Sequence, residues 1–225
     1  MKALAIDSAV TCISLAACNQ QKKSSITLDI GMRQSEKIIP AIEYVLEQVE
    51  LDASQLDFIA LSGGPGSFTG LRLGFAAAKG LQLSTGCPVY SIPTLKAQAE
   101  PFSSWPGIVI SVIDAKKDRF YIQIFSQGKE VTGALDIGVE DIAKDLSVDS
   151  HILIVGPDKQ LLFDRLREYN PQLHICLFQN LSSSLTDALF SMALKAHENG
   201  GKNLEPYEGP IYLRKSEAEE NKSMV

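Results

Sequence analysis

The sequence predicts an α/β protein of two halves, each a mixed sheet flanked by helices. Short apolar segments with the length or alternation of strands recur between segments with helical spacing. The order strand, strand, strand, helix, strand, helix, strand, helix occurs twice along the 225 residues, although the halves share no visible sequence identity. A chain of this length forms one large domain or two small ones, so we expect two small units with the same order of elements.

The first half contains five predicted strands and three predicted helices. Apolar residues at offsets of three and four, from Ile38 to Val49, predict its first helix. A glycine-rich turn precedes the second helix, and Gly86 is a suitable stop for it. The predicted strands are 3–6, 11–17, 25–30, 58–61 and 88–92, and the predicted helices are 35–49, 71–84 and 94–99.

The second half begins after residues 101–107, which hold two prolines, two serines and the only tryptophan and so are a candidate linker. Beyond them we predict strands at 108–113, 119–125, 131–137, 152–155 and 173–178, and helices at 140–146, 159–169 and 185–197. The predicted division is 1–104, 105–214 and a flexible tail at 215–225. Two copies of this order are typical of the actin-like (ribonuclease H-like) architecture, in which a ligand is expected in a cleft between the halves.

Composition and charge narrow the class of function. The chain has 21 Lys and Arg against 27 Asp and Glu, a net charge of −6, which argues against stand-alone nucleic-acid binding and a polybasic membrane anchor. Its four cysteines lack Cys-x-x-Cys spacing and are interpreted as small core hydrophobes in a reducing compartment. No segment approaches the roughly 18 apolar residues of a membrane span. We expect a cytoplasmic protein without membrane contact.

Carboxylates follow the first strand of each half, at Asp7 and at Asp114. In an actin-like fold this hairpin lies under a phosphate, and its carboxylate can hold Mg²⁺ through water. Neither hairpin has the glycine that close approach to a phosphate normally requires. We therefore interpret Asp7, Ser8, Asp114 and Gly156 as weak nucleotide or phosphate contacts, with Gly156 near an adenine pocket. The alternatives are that Asp7 caps a turn and that Gly156 belongs to a plain strand-to-helix turn.

The glycine-rich stretch before the second helix is the most specific motif. It does not match Gly-x-x-x-x-Gly-Lys-[Ser/Thr], but it places serine, threonine and backbone amides before a helix, where an anion can bind. Within the helix, Gly70, Gly74 and Ala78 recur at spacing four. Because glycine inside a helix costs roughly 1 kcal/mol relative to alanine, this stripe indicates that another backbone comes close. That backbone belongs either to a partner or to the chain's own sheet.

Five motifs together are similar to the TsaB (YeaZ) family, and the similarity runs over most of the chain. The long central motif is the most specific of them, and we call its residues 64–70 the signature loop. The motifs are Ala5-Ile6-Asp7-Ser8, Gly64-Pro65-Gly66-Ser67-Phe68-Thr69-Gly70-Leu71-Arg72-Leu73-Gly74, Ala78-Lys79-Gly80-Leu81, Asp114-Ala115-Lys116 and Pro210-Ile211-Tyr212-Leu213-Arg214.

This resemblance implies a non-catalytic scaffold subunit of the complex that transfers a threonylcarbamoyl group to N6 of adenosine 37 in tRNAs reading codons that begin with A. TsaD would be the catalytic partner, the ATPase TsaE would join, and tRNA would bind through the complex. No cofactor is expected on this chain itself, and ATP or ADP with magnesium would sit at the partner interface. The older family label is an M22-type, glycoprotease-like peptidase. The three histidines lack metal-ligand spacing, which argues against a peptidase metal site in this chain.

The resemblance also implies where partners bind. Helices matching 35–49 and 70–84 would form a helix bundle with TsaD, or with a second copy when TsaD is absent. The family's first helix usually begins with His-Ser, whereas this chain has Arg33-Gln34-Ser35-Glu36. The main alternative function is a stand-alone actin-like kinase or ATPase for a small molecule, with Asp7 and Asp114 coordinating magnesium. The expected partner-binding residues are Ile38, Ile42, Gly70, Leu71, Gly74 and Ala78.

Overall fold

The computed structural model describes residues 1–178 and 184–214, which form two compact units. Of these residues, Met1–Ala97 and Ser184–Ile211 form the first unit, and the remainder form the second. The predicted division at residue 104 is therefore corrected in two ways: the boundary lies seven residues earlier, and the last helix returns to the first unit. The predicted tail at 215–225 lies outside the described residues.

The described part of the chain contains eleven strands and six α-helices. The strands are β1 (Lys2–Asp7), β2 (Ile13–Asn19), β3 (Lys22–Leu28), β4 (Phe58–Ser62), β5 (Val89–Ile92), β6 (Ile108–Asp114), β7 (Arg119–Ser126), β8 (Lys129–Glu130), β9 (Leu135–Gly138), β10 (Ile152–Val155) and β11 (Ile175–Leu177). The helices are α1 (Gln34–Gln48), α2 (Phe68–Thr85), α3 (Thr94–Ala99), α4 (Val139–Lys144), α5 (Lys159–Tyr169) and α6 (Thr186–Glu198).

The two sheets repeat one topology. The first has the order β3-β2-β1-β4-β5, with β1 antiparallel to β2 and parallel to β4. In the second, β6 is antiparallel to β7 and parallel to β10, β11 lies beyond β10, and β9 pairs with β7. Each unit thus has a three-stranded antiparallel part followed by two parallel strands. This confirms the predicted pair of actin-like subdomains.

Sequence signals for the first unit's helices are confirmed with small changes in their bounds. In α1 the buried residues include Ile38, Ala41, Ile42 and Val45, which recur at the predicted three- and four-residue offsets. The helix begins at Gln34 and contains Pro40. Ser67 caps α2 by accepting a hydrogen bond from the Gly70 amide, so α2 begins earlier than predicted.

Two hydrophobic clusters cover the two faces of the first sheet. Leu4 and Ile6 of β1 belong to the cluster that includes residues of α1 and α2, and Ala3 and Ala5 belong to the cluster of α6. Leu189 on α6 is fully buried there. A sheet with two apolar faces needs a helical layer on each, and α6 supplies the second layer. This is the physical reason that α6 belongs to the first unit.

Other differences from the predictions are local. The strand predicted at 131–137 is replaced by β8 and β9, because Val131 and Thr132 both donate backbone hydrogen bonds to the Ile124 carbonyl. Cys176 is exposed, so its interpretation as a core residue is wrong, whereas Cys18 and Cys87 are buried. No helix within 1–178 or 184–214 has the length and apolar character needed to cross a bilayer.

Candidate functional site

The turn between β1 and β2 lies directly on the glycines of α2 and of the loop before it. A Cβ atom added at Gly66, Gly70 or Gly74 would come within 3.0 Å of Ala9 or Ser8 atoms. At Gly70 the obstacle is the Ser8 carbonyl, and at Gly74 it is the Ser8 hydroxyl. The backbone whose close approach the glycine spacing predicted is therefore the chain's own hairpin.

This packing corrects the predicted partner-binding residues. Ile38 and Ile42 are 4% and 2% exposed, and Leu71 and Ala78 are fully buried. Gly70 and Gly74 are also buried. None of these side chains is available to another protein in the folded chain. The role of the two helices in pairing stays a prediction, but other residues must carry it.

The outward side of these helices forms what we call the α1–α2 face. Ile39 and Tyr44 of α1 are 46% and 48% exposed, and Leu83 of α2 is 86% exposed. Ala76 and Gly80 are also exposed, and with Leu83 they lie at positions i, i+4 and i+7 on one side of α2. A Cβ at Gly80 would meet no atom within 4 Å, so the chain's own packing does not require this glycine. Sequence periodicity could have indicated it, because Ala76 and Gly80 are also four residues apart.

The signature loop uses its amides internally. The Ser67 amide donates to the Ala9 carbonyl at 2.7 Å, and the Gly64 amide donates to the Thr94 hydroxyl at 3.0 Å. The Gly70 amide donates to the Ser67 hydroxyl at 3.3 Å. These bonds leave those three amides unavailable to an anion, so the predicted anion cradle is not supported at these positions.

Asp7 is 1% exposed and connects three elements of the first unit. Its carboxyl group accepts hydrogen bonds from the Ala9 amide, the Ser62 hydroxyl and the Leu185 amide at the start of α6. Ser62 in turn accepts a hydrogen bond from the Ser8 amide at 3.1 Å. Burial is the dominant influence and raises the pKa of Asp7 to about 6, although the three hydrogen bonds act in the opposite direction. The alternative that Asp7 caps a turn is what the structure supports.

The second unit has a more open counterpart at Asp114. Its carboxylate pairs with the Lys116 ammonium at 2.6 Å, and its amide donates to Asp158 at 2.8 Å. Gly156 has a φ of +112°, and a Cβ there would come within 3.0 Å of the Val112 carbonyl. The plain-turn alternative therefore accounts for Gly156, because the close approach to β6 alone requires glycine.

The β1–β2 turn offers no accessible carboxylate to a magnesium–nucleotide complex. Asp7 and Ser8 are buried, and the Asp7 carboxyl group already accepts three hydrogen bonds from its own chain. The alternative of a stand-alone kinase or ATPase with Asp7 as a magnesium ligand therefore lacks support. Within residues 1–178 and 184–214, no group of three or more His, Cys, Asp and Glu side chains could hold a metal ion.

Because the pKa of Asp7 is raised, we expect the free energy of unfolding to depend on pH. An unfolded aspartate titrates near 3.9, so between about pH 4 and pH 6 the folded chain holds a proton that the unfolded chain has released. Stability must therefore fall as pH rises through this range. Asp7→Asn removes this ionisation. Asparagine has only one acceptor oxygen for the hydrogen bonds that Asp7 accepts, so the test is the change with pH: the stability of the variant relative to wild type should rise by about 1–3 kcal/mol between pH 4 and pH 7.5.

Urea unfolding of both proteins at pH 4 and pH 7.5 measures this change. Asp29→Asn, at an exposed aspartate, is the matched control and should show no such gain. A stability gain for Asp7→Asn that is the same at both pH values would contradict the assigned cause.

Comparisons with known proteins agree with the fold and with the motifs. A family model described as TsaD, tRNA N6-adenosine threonylcarbamoyltransferase, matches residues 31–198. The tRNA threonylcarbamoyladenosine biosynthesis protein TsaB of Buchnera aphidicola subsp. Acyrthosiphon pisum is 30% identical over 128 residues, covering 56% of this chain and 58% of that protein. TsaB of Haemophilus influenzae is 32% identical over 126 residues, covering 55% and 52%. The chain spans about half the length of the curated relatives it matches.

A solved structure confirms the architecture over almost the whole chain. The crystal structure of a Pseudomonas aeruginosa protein with similarity to peptidase YEAZ superposes with a TM-score of 0.78. It is 23% identical, and the match covers 95% of this chain and 99% of that one. At this identity the likeness shows the fold alone. The family-model match extends over more than half of the 225 residues. The chain therefore belongs to the family that the TsaD model describes and is a TsaB/YeaZ family member.

Proposed function

We propose that the chain is a non-catalytic scaffold subunit in tRNA threonylcarbamoyladenosine biosynthesis and that it binds TsaD through the α1–α2 face. The main support for this docking surface is Gly80. It is an exposed glycine in the interior of α2, and the chain's own packing does not require a glycine there. The names of the curated relatives support the pathway. In this proposal TsaD transfers the threonylcarbamoyl group to N6 of adenosine 37, TsaE joins the assembly, and tRNA is bound through the complex.

The chemistry of the α1–α2 face fits a helical partner. Small residues at Ala76 and Gly80 allow a second helix to approach closely, and apolar side chains beside them supply area to bury. Ile39 and Tyr44 are five residues apart and therefore lie on opposite flanks of α1, with exposed acidic residues between them on the outward side. They are Glu36, Glu43 and Glu47. We expect basic side chains on the partner to face these carboxylates, and binding that weakens as salt rises.

The burial of Asp7 supports the non-catalytic part of the proposal, since the first unit's hairpin offers no accessible carboxylate. The chemistry is assigned to TsaD, with ATP or ADP and magnesium at the partner interface. When TsaD is absent, a second copy of the chain would cover the same face and form a homodimer. This arrangement would keep exposed apolar side chains such as Leu83 away from water in either state.

Reconstitution tests the proposed function. Purified TsaD, TsaE and this chain are incubated with unmodified tRNA, ATP and the threonylcarbamoyl donor, and modified adenosine is measured by mass spectrometry of the digested tRNA. We expect the reaction to require the chain, because TsaD would lack its docking partner without it. Equal modification in the presence and absence of the chain would contradict the proposal. Bovine serum albumin at the same concentration controls for nonspecific protection of TsaD.

A further inference from the structure

The segment that follows α6 covers the free edge of the first sheet. β5 is the edge strand, and its Val89 amide donates to the Asn203 side-chain oxygen at 2.7 Å, while the Leu204 amide donates to the Val89 carbonyl at 2.8 Å. Leu204 is 4% exposed and belongs to the core cluster of α1 and α2. Covering an edge strand in this way blocks unwanted strand pairing and fixes the start of the segment.

A tightly bonded turn, Glu205–Glu208, comes next. The Glu208 amide donates to the Glu205 carbonyl at 3.1 Å, and the Glu205 amide donates to the Glu208 carboxylate at 2.9 Å. Lys202 pairs with the same carboxylate. From α2, the Lys79 ammonium donates to the Pro206 carbonyl at 2.7 Å and also to the Glu208 carbonyl. The turn is therefore ordered by its own bonds and attached to α2.

Tyr207 lies in this turn and is 100% exposed. Its ring buries no area against its own chain, although the backbone on both sides of it is held by Lys79. Leu83 is four residues beyond Lys79 and hence one helical turn away on the same side of α2, and it is 86% exposed. The turn is thus continuous with the α1–α2 face. Tyrosine on a rigid support is a common interface anchor, because little conformational freedom is lost when it binds.

We propose that Tyr207 is a second anchor for the partner that binds the α1–α2 face, with Lys79 as its positioning residue. This inference rests on the proposed function and takes TsaD as the occupant. The chemistry it requires of the partner is an apolar pocket for a phenol ring.

Titration of TsaD with chain variants tests the anchor. Tyr207→Ser should weaken binding by about tenfold or more, the range of an interface anchor, with its thermal unfolding unchanged because the ring has no contacts to lose. Tyr169→Ser is the matched control, since Tyr169 is 50% exposed at the end of α5, and it should bind as wild type does. Wild-type affinity for Tyr207→Ser would overturn the proposal. A change confined to self-association of the chain would overturn TsaD as the occupant.

A double-mutant cycle tests the positioning role of Lys79. Lys79→Met keeps the aliphatic stem and removes the ammonium that holds the turn. If Lys79 acts through Tyr207, Lys79→Met should weaken binding in the wild-type background and have little further effect in the Tyr207→Ser background. Fully additive losses would contradict this role. Failure of the wild-type chain to bind TsaD would count against the proposed function itself, whereas failure of Tyr207→Ser alone to weaken binding counts only against the anchor.

Discussion

Gly74→Leu is expected to destabilise the first unit by about 3 kcal/mol or more, at or beyond the upper end for inserting atoms into a packed core. A Cβ at this position already comes within 3.0 Å of the Ser8 hydroxyl and lies 3.2 Å from the Leu61 side chain. Because Gly74 faces both Ser8 and Leu61 of β4, a leucine side chain can be placed there only if the helix or these neighbours move. Urea unfolding followed by circular dichroism measures the loss.

A milder pair of changes tests the same contact if Gly74→Leu fails to fold. The Ser8 hydroxyl is a buried side-chain group without a hydrogen-bond partner among the described residues, so Ser8→Ala should be nearly neutral or stabilising. Gly74→Ala should destabilise the wild-type chain more than it destabilises the Ser8→Ala chain, with a coupling of about 1 kcal/mol. Gly80→Ala is the matched helical control and should not destabilise. Equal effects of Gly74→Ala in both backgrounds would contradict the proposed contact.

The sequence predicts much of this fold because its signals are local. The spacing of Ile38, Ile42 and Val45 identifies α1, and the order of elements identifies the repeated topology. The placement of α6 could not be predicted in the same way. An amphipathic stripe shows which side of a helix is buried but not which sheet covers it, and α6 packs on a sheet formed some ninety residues earlier in the chain.

The candidate site could likewise be predicted only in part from the sequence. The sequence spacing indicates that α2 carries small residues. It does not distinguish Gly74, which is buried against Ser8, from Gly80, where an added Cβ would meet open space. Only the tertiary contacts distinguish a glycine that serves the chain's own packing from one that is available to a partner. Tyr207 gives no sequence signal at all, because an exposed tyrosine in a turn belongs to no periodic pattern. Tyr207 becomes a candidate anchor only because Lys79 donates hydrogen bonds to the backbone carbonyls on either side of it.

Gly80→Arg is expected to weaken TsaD binding by at least about a hundredfold, since a long charged side chain would stand between two closely packed helices and its charge would be desolvated. The fold should be unaffected. The position is exposed, a Cβ there has open space, and replacing a helix-interior glycine by arginine favours the helix by about 1 kcal/mol. The matched control is Gly133→Arg, which adds the same side chain at an exposed, open glycine of the second unit.

The affinity of TsaD for wild type, Gly80→Arg and Gly133→Arg, measured by isothermal titration calorimetry in one buffer, tests most directly whether the α1–α2 face is the docking surface. We predict strong binding for wild type and Gly133→Arg, and binding near the detection limit for Gly80→Arg. Three equal affinities would show that TsaD binds elsewhere and would contradict the account.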